Sequence, residues 1–223
     1  MNKAASDVKK VVLVDDHPLF RRGLAQVINQ EKDLRIVGEA DDAAGGLELL
    51  ESATPDVVIV DITLPDRNGI ELVKDVHVRA PEVLVLVLSM HEEGIYAERV
   101  LRAGARGYVC KGENPARVVE AIRAMLAGGI FVSEKMSAQM LQKFVGIRGR
   151  AEQPGVDNLS DRELQVLEKV GSGMPTREIA QALHVSVKTV DAHREHIKRK
   201  LNLENAAELR KYAIAWAQTR LSP

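Results

Sequence analysis

Aromatic side chains make up only 3% of this 223-residue sequence, with one Trp, three Tyr and three Phe. Any hydrophobic core must therefore be built from Val, Ile, Leu and Ala, and an apolar fraction of 45% is ample for that. Cysteine is nearly absent. Cys110 stands alone, which excludes an internal disulfide and points to a reducing compartment. No run reaches the roughly 18 apolar residues that a membrane span needs, so no membrane partner is expected. Met1 to Lys10 is polar and mixed in charge, unlike a secretory signal, and a cytoplasmic location is the expectation.

An excess of one charge is also missing, since the formal net charge is -1. Its distribution is uneven. Residues 1–146 carry 18 basic and 22 acidic side chains, a net of -4, whereas residues 156–223 carry 11 and 9, a net of +2. The basic excess concentrates in the run His193 to Lys200, HREHIKRK. Taken alone, such a run also describes an ordinary solvated helix face.

The length suits two domains. In the first half, β-branched runs alternate with helical stretches. Strands are predicted at Val11–Asp15, Arg35–Ala40, Val57–Asp61, Leu84–Ser89 and Gly107–Lys111. VVLVD, VVIVD and LVLVLS are continuously apolar, the pattern of strands buried on both faces. Helices are predicted near Pro18–Gln30, Ala43–Glu51, Gly69–Arg79, Glu92–Ala103 and Pro115–Ala127. Five βα units in this length predict a doubly wound α/β domain with a five-stranded parallel sheet. After Gly128 an isolated helix is predicted over Ser133–Val145, followed by a flexible linker at 146–155. The remainder reads as a small all-α domain. It opens with a capping box of Ser160 and Glu163, flanked by Leu159 and Leu164 as a hydrophobic staple. The expected boundaries are 8–130, a linker with helix at 131–156, and 157–223.

In an open parallel sheet, ligands bind beyond the carboxyl ends of the strands. Those ends carry Asp15 and Asp16, then Asp61, Ser89 and Lys111. Three carboxylates at one point form a hard oxygen site suited to Mg²⁺. Asp61, alone on a central strand, can act as a nucleophile and form an acyl phosphate. A lysine ammonium and a serine hydroxyl can hold phosphoryl oxygens. Taken singly, each residue has a plainer reading: Asp15 and Asp16 could cap the following helix, and Asp61 could open a turn towards Pro65 and Gly69. Together, in this order, they point to phosphoryl transfer.

On VVLVDDHPLF (11–20), VIVDITLPDRNGIEL (58–72), LVLVLS (84–89) and ARGYVCK (105–111), residues 11–128 resemble a response-regulator receiver domain, which implies the flavodoxin-like strand order of the CheY-like fold. The resemblance implies transfer of a phosphoryl group from a sensor histidine kinase to Asp61. It implies Asp16 as a direct Mg²⁺ ligand, Asp15 as its water-mediated partner and the Thr63 backbone carbonyl as a further ligand. It also implies Ser89 and Tyr108 as a switch pair. Many receivers have proline after the lysine, and here Gly112 follows Lys111.

In the second half, Pro175–Leu201 predicts two helices joined by a tight turn. Thr176 is expected to cap the first, with an apolar face of Ile179, Ala180 and Leu183. Ser186 is expected to cap the second, with Val187, Val190, Ile197 and Leu201 facing the core. Lys188, Asp191, Ala192, Glu195 and Arg199 then share the opposite face, as in a recognition helix. Residues 157–221 resemble the LuxR/FixJ-type four-helix DNA-binding domain, on LSDRELQVLEKVGSGMPTREIAQALHVSVKTVDAHREHIKRKL. The whole chain thereby resembles a NarL/FixJ-type response regulator. The resemblance implies Lys188, Thr189, Lys198 and Arg199 as mainly phosphate contacts, His193 as a packing or phosphate residue, and Asp191, Ala192 and Glu195 at base-reading positions. Relatives commonly carry basic residues at the polar reading positions; here both are acidic. Expected partners are a sensor histidine kinase, double-stranded DNA and a second copy of the chain, the last helix (206–219) being core or dimer surface. RNA polymerase is a further candidate.

Two enzymatic or cofactor-binding alternatives fail on residues. A haloacid-dehalogenase-like phosphatase needs a second aspartate two positions after the first, where Thr63 stands. A dinucleotide-binding fold needs G-x-G-x-x-G after the first strand, where Asp15-Asp16-His17-Pro18 stand. A DNA-binding protein with a degenerate receiver remains the third alternative. The expectation is thus no enzyme beyond the receiver's own phosphoryl transfer and slow self-dephosphorylation.

Overall fold

The structure is a computed structural model and describes residues 8–90, 93–144 and 155–221. The chain divides into two compact units, one within residues 1–148 and the other within 149–223. In the first unit five strands alternate with five helices: β1 (Lys9–Val14), α1 (Pro18–Asn29), β2 (Leu34–Ala40), α2 (Ala43–Ala53), β3 (Val57–Asp61), α3 (Gly69–Arg79), β4 (Leu84–Ser89), α4 (Glu93–Arg102), β5 (Gly107–Cys110) and α5 (Ala116–Leu126). All strand pairs are parallel, in the order β2-β1-β3-β4-β5. The doubly wound fold expected from the apolar runs is therefore the fold observed. Val57 to Val60 and Val85 to Leu88 are essentially inaccessible because helices cover both sheet faces. Each fully buried Val, Leu or Ile contributes roughly 1.5–3 kcal/mol relative to exposure, and aliphatic packing replaces the missing aromatics.

The order in which strands are added across the sheet reverses at β1, which has β2 on one side and β3 on the other. That switch point opens a crevice at the carboxyl ends of β1 and β3. Local caps fix how the chain leaves the strands there. Pro18 begins α1, where its fixed φ suits the first helical turn. Asn68 caps α3, its Oδ1 accepting from the Ile70 N–H at 2.8 Å. Gly69 is required by close approach: a Cβ there would lie 1.9 Å from the Asp61 carbonyl oxygen. The glycine lets α3 start against the end of β3, and its N–H donates to the Ile62 carbonyl at 2.8 Å.

Residues 131–144 differ from the isolated helix expected of them. Phe131 forms a parallel bridge with Gly107, and α6 (Glu134–Phe144) packs against α4. Met136 is buried, and Glu93 accepts from the Ser133 N–H at 2.6 Å. Val145 and nearly all of the expected linker lie outside the described residues.

The second unit has a short 3₁₀ turn (Val156–Asn158) and four helices: α7 (Asp161–Gly171), α8 (Thr176–Ala182), α9 (Val187–Leu201) and α10 (Ala206–Leu221). The capping box of Ser160 and Glu163 is present, with Leu159 and Leu164 both buried beside it. The core joins Leu164, Leu167, Ile179, Leu183, Val190 and Ile197 to Leu209, Ala213 and Trp216 of α10. These α10 residues are therefore core. Two local expectations change. Pro175, not Thr176, occupies the cap position of α8, and the Thr176 hydroxyl instead accepts from Arg194 Nη1 at 2.6 Å. Val187 is 43% exposed, so the inward stripe of α9 consists of Val190 and Ile197, with Leu201 half-buried.

Candidate functional site

The crevice at the sheet end gathers the acidic residues named from the sequence. Asp15 and Lys111 lie one residue beyond β1 and β5, whereas Asp61 is the last residue of β3. Asp15 and Asp61 are buried, and Asp16 is largely so. Lys111 Nζ lies 2.5 Å from Asp61 Oδ2 and 2.7 Å from Asp15 Oδ2, with its side chain buried as well. The ammonium also sits 4.9 Å from the centre of the Phe20 ring, which packs the lysine stem against α1. One cation thus bridges two carboxylates in a low-dielectric setting. Burial pushes the Asp61 carboxyl up to about 6; the charge of Asp15 adds to the rise, while Lys111 opposes it.

A local backbone bond fixes the Asp61 carboxylate. Its Oδ1 accepts from the Thr63 N–H at 3.2 Å, in a loop closed by a bridge between Thr63 and Asn68. Asp15 Oδ1 accepts from the His17 N–H at 2.9 Å. His17 is the residue that strand-end reasoning misses: Asp15, Asp16, His17 and Asp61 each place a ligand atom within 4.8 Å of the others. The only signal for it in the sequence is adjacency to Asp16.

The donor set fits a divalent cation. Three clustered carboxylates leave negative charge beyond what Lys111 neutralises, and oxygen donors suit a hard ion.

Ser89 and Tyr108 are both buried and lie on neighbouring strands. In the β4–β5 register Ser89 faces Cys110 and Val87 faces Tyr108. By strand alternation, Ser89 and Tyr108 share one sheet face, diagonally placed. The Lys111 N–H donates to the Ser89 carbonyl at 2.8 Å, so the lysine and serine positions are locked together.

In the second unit, Ser186 caps α9: its Oγ accepts from the Thr189 N–H at 3.0 Å and lies 2.7 Å from Thr189 Oγ1. His184 adopts a left-handed conformation with φ 52°, making the tight turn between α8 and α9. Lys188, Asp191, Ala192, Glu195 and Arg199 are exposed along one face of α9, as their spacing predicts. The basic cluster is less available than its composition suggests. Lys200 donates to buried Glu163 at 2.7 Å, Lys198 pairs with Glu195 at 2.9 Å, and Arg194 reaches Thr176. His193 is half-buried; burial and the nearby Arg162 hold its ring below the ordinary histidine range, which favours the neutral form. Burial would raise the Glu163 carboxyl, but bonds from Lys200 and from Ser160 outweigh it and hold the group below the ordinary range.

Comparison with known proteins matches both units. Residues 11–123 match the response regulator receiver domain family, and residues 157–213 match the LuxR family of bacterial regulatory proteins. The oxygen regulatory protein NreC of Staphylococcus carnosus is 34% identical over 209 residues, covering 92% of this chain and 96% of that protein. RcsB of Salmonella enterica serovar Typhimurium, solved bound to the promoter rprA with the phosphomimetic BeF3-, aligns with a TM-score of 0.60 and 26% identity. That alignment covers 92% of this chain and 98% of the RcsB chain. A structure of two RcsB dimers bound to two parallel DNAs aligns with a TM-score of 0.56 and 28% identity, over 93% and 98% of the two chains.

Proposed function

The chain belongs to the response regulators that join a receiver domain to a LuxR-type DNA-binding domain, and from this premise we propose that phosphorylation of Asp61 by a sensor histidine kinase controls its binding to double-stranded DNA. It is a transcriptional regulator of the two-component class rather than an enzyme with a separate substrate. The observation that carries the reading is the buried contact of Lys111 with Asp61 and Asp15, beside further carboxylate oxygens able to hold a cation.

In this reading an Asp61 carboxylate oxygen attacks the phosphorus of the kinase's phosphohistidine. The phosphorus–nitrogen bond breaks, the histidine ring leaves, and an acyl phosphate remains on Asp61. Mg²⁺ held by Asp16, Asp61 and the Thr63 carbonyl, with Asp15 acting through water, would neutralise charge on the phosphoryl oxygens. Lys111 offsets the same charge from the other side, already placed and already desolvated. Ser89 offers a hydroxyl to a phosphoryl oxygen, and Tyr108 on the same sheet face carries the change outward as the switch partner. Slow water attack on the acyl phosphate resets the receiver.

The phosphorylated receiver must favour one arrangement of the chain over another for the signal to reach DNA. Homodimers on DNA are that arrangement in our reading, which the RcsB dimers on DNA support. RNA polymerase is a candidate downstream partner. No helix among the described residues is long and apolar enough to cross a membrane. The match to a DNA-binding family is what supports a cytoplasmic location. On the DNA, Lys188, Thr189, His193, Lys198 and Arg199 lie along the backbone side, and Asp191, Ala192 and Glu195 face base edges.

A DNA mobility assay on the full chain, with and without an acyl-phosphate donor and Mg²⁺, tests the control. Tighter binding after phosphorylation, absent in Asp61→Asn, is the expected result. Equal affinity in all four samples would refute it.

A further inference from the structure

The short helix α8 is anchored unevenly. Ile179, Ala180 and, just beyond its end, Leu183 are buried. Its first turn exposes Arg177 and Glu178, and Pro175 at the cap position supplies no side-chain hydrogen bond. Apolar packing therefore holds the end of α8 beside the turn at His184 and leaves its start to other forces. Thr176 stands at that start, the point of α8 farthest from the joint with α9.

Arg194 reaches across from α9 to this far end. It lies four residues after Val190 and three before Ile197, so it flanks the inward stripe of α9 rather than the exposed face that carries Asp191 and Glu195. Its half-buried side chain donates from Nη1 to Thr176 Oγ1 at 2.6 Å. The partner is a neutral hydroxyl, so the bond supplies direction rather than charge neutralisation. Two other ties hold the same helix pair to α7. Arg162 donates to the Leu183 carbonyl at the turn, and Lys200 donates to Glu163 near the end of α9. The bond from Arg194 fixes the corner that those two leave.

We infer that Arg194 is a positioning residue for DNA recognition: through Thr176 it sets the angle between α8 and α9, and with it the sequence discrimination of the unit. In a helix-turn-helix the first helix crosses the phosphate backbone while the second enters the major groove, so their angle decides how α9 meets the base edges. Thr176 and Arg194 each stand roughly 10 Å along their helices from the turn, so a slip of about 1 Å at the bond is a tilt of about 6°. A displacement of that size exceeds the roughly 0.5 Å within which a binding group must be held. Binding to random sequence is electrostatic and tolerates it. The inference rests on the reading of α9 as the helix that faces the bases.

The test uses the full chain treated with an acyl-phosphate donor and Mg²⁺, and two probes: duplexes that the wild type selects from a random pool, and the unselected pool. Thr176→Val removes the acceptor with little change of shape and none of charge, and Arg194→Met removes the donor. Each variant should bind the selected duplexes on the order of 10-fold more weakly. Each should bind the unselected pool as the wild type does, which also reports an intact fold. Thr176→Ser should keep wild-type discrimination, and the double variant should be no worse than either single one. Wild-type discrimination in Thr176→Val overturns the inference. Equal weakening on both probes overturns it too, as does a salt slope lower by about one in Arg194→Met, which marks a phosphate contact instead. If the wild type selects no sequence at all, the reading of α9 fails and the inference falls with it.

Discussion

Lys111 Nζ lies 2.5 Å from the Oδ2 atom of Asp61, and both side chains are 3% exposed. The pair couples the fifth strand to the third at the carboxyl end of the sheet. It also sets the electrostatics of the site: a buried carboxylate is costly, and the ammonium offsets only part of that cost.

Asp61→Asn should stabilise the metal-free protein at neutral pH. The folded-state pKa of Asp61 is raised from 3.8 to about 6, so the folded state binds the proton more tightly than the unfolded chain. The contribution of this group is most favourable below about pH 4 and is lost as the pH rises through about 6. The neutral amide avoids that loss, by up to about 3 kcal/mol at pH 7. Thermal unfolding in chelator should show a higher midpoint for the variant at pH 7 and convergence with the wild type near pH 4. Added Mg²⁺ should narrow the gap, because the cation stabilises the ionised form.

Glu163 behaves in the opposite sense. Its folded-state pKa is lowered, so its stabilising contribution is complete above the ordinary glutamate value of about 4.3 and is lost as the pH falls through the lower folded value. Glu163→Gln should cost roughly 1.5–3 kcal/mol at pH 7 through weaker bonds to Lys200 and the Ser160 N–H. Unfolding of the full chain across pH should show that difference shrinking in acid.

Leu209→Ala should destabilise the second unit by about 2–5 kcal/mol, since Leu209 is fully buried. Chemical denaturation monitored by Trp216 fluorescence reads this directly. A variant that dimerised poorly yet unfolded like the wild type would mean that α10 serves the dimer rather than the core.

On α9, backbone and base contacts should separate by substitution. Lys188→Ala should weaken binding to all sequences alike and reduce the salt slope by about one. Asp191→Ala or Glu195→Ala should instead change which bases are preferred, because a carboxylate accepts from the cytosine amino group. Selection of bound fragments from a random pool compares the preferences.

Much of this was legible in the residues. The runs VVIVD and LVLVLS have no polar alternation, which only a sheet covered on both faces tolerates, and β3 and β4 match those runs residue for residue. Asp15, Asp61 and Lys111 were legible for a related reason, since parallel strands must deliver their ends to one edge. What escaped depends on how elements meet. Glu163 and Lys200 are 37 residues apart and pair only because α7 and α9 pack together. Thr176 has the chemistry of a cap, but Arg194 draws its hydroxyl to α9. The exposure of Val187 follows from the first turn of α9 projecting from the core, which helical periodicity alone does not report. His17 has no spacing signal, because the turn between β1 and α1 orients its ring.

The whole phosphorylation scheme turns on Asp61 as the phosphoryl acceptor. Its most direct test is to incubate the full chain with an acyl-phosphate donor and Mg²⁺ and to map the adduct by tandem mass spectrometry. One phosphoryl group on Asp61 in the wild type and none on Asp61→Asn is the expected result. An adduct of equal yield on Asp61→Asn, or one mapped to another residue in the wild type, would contradict it.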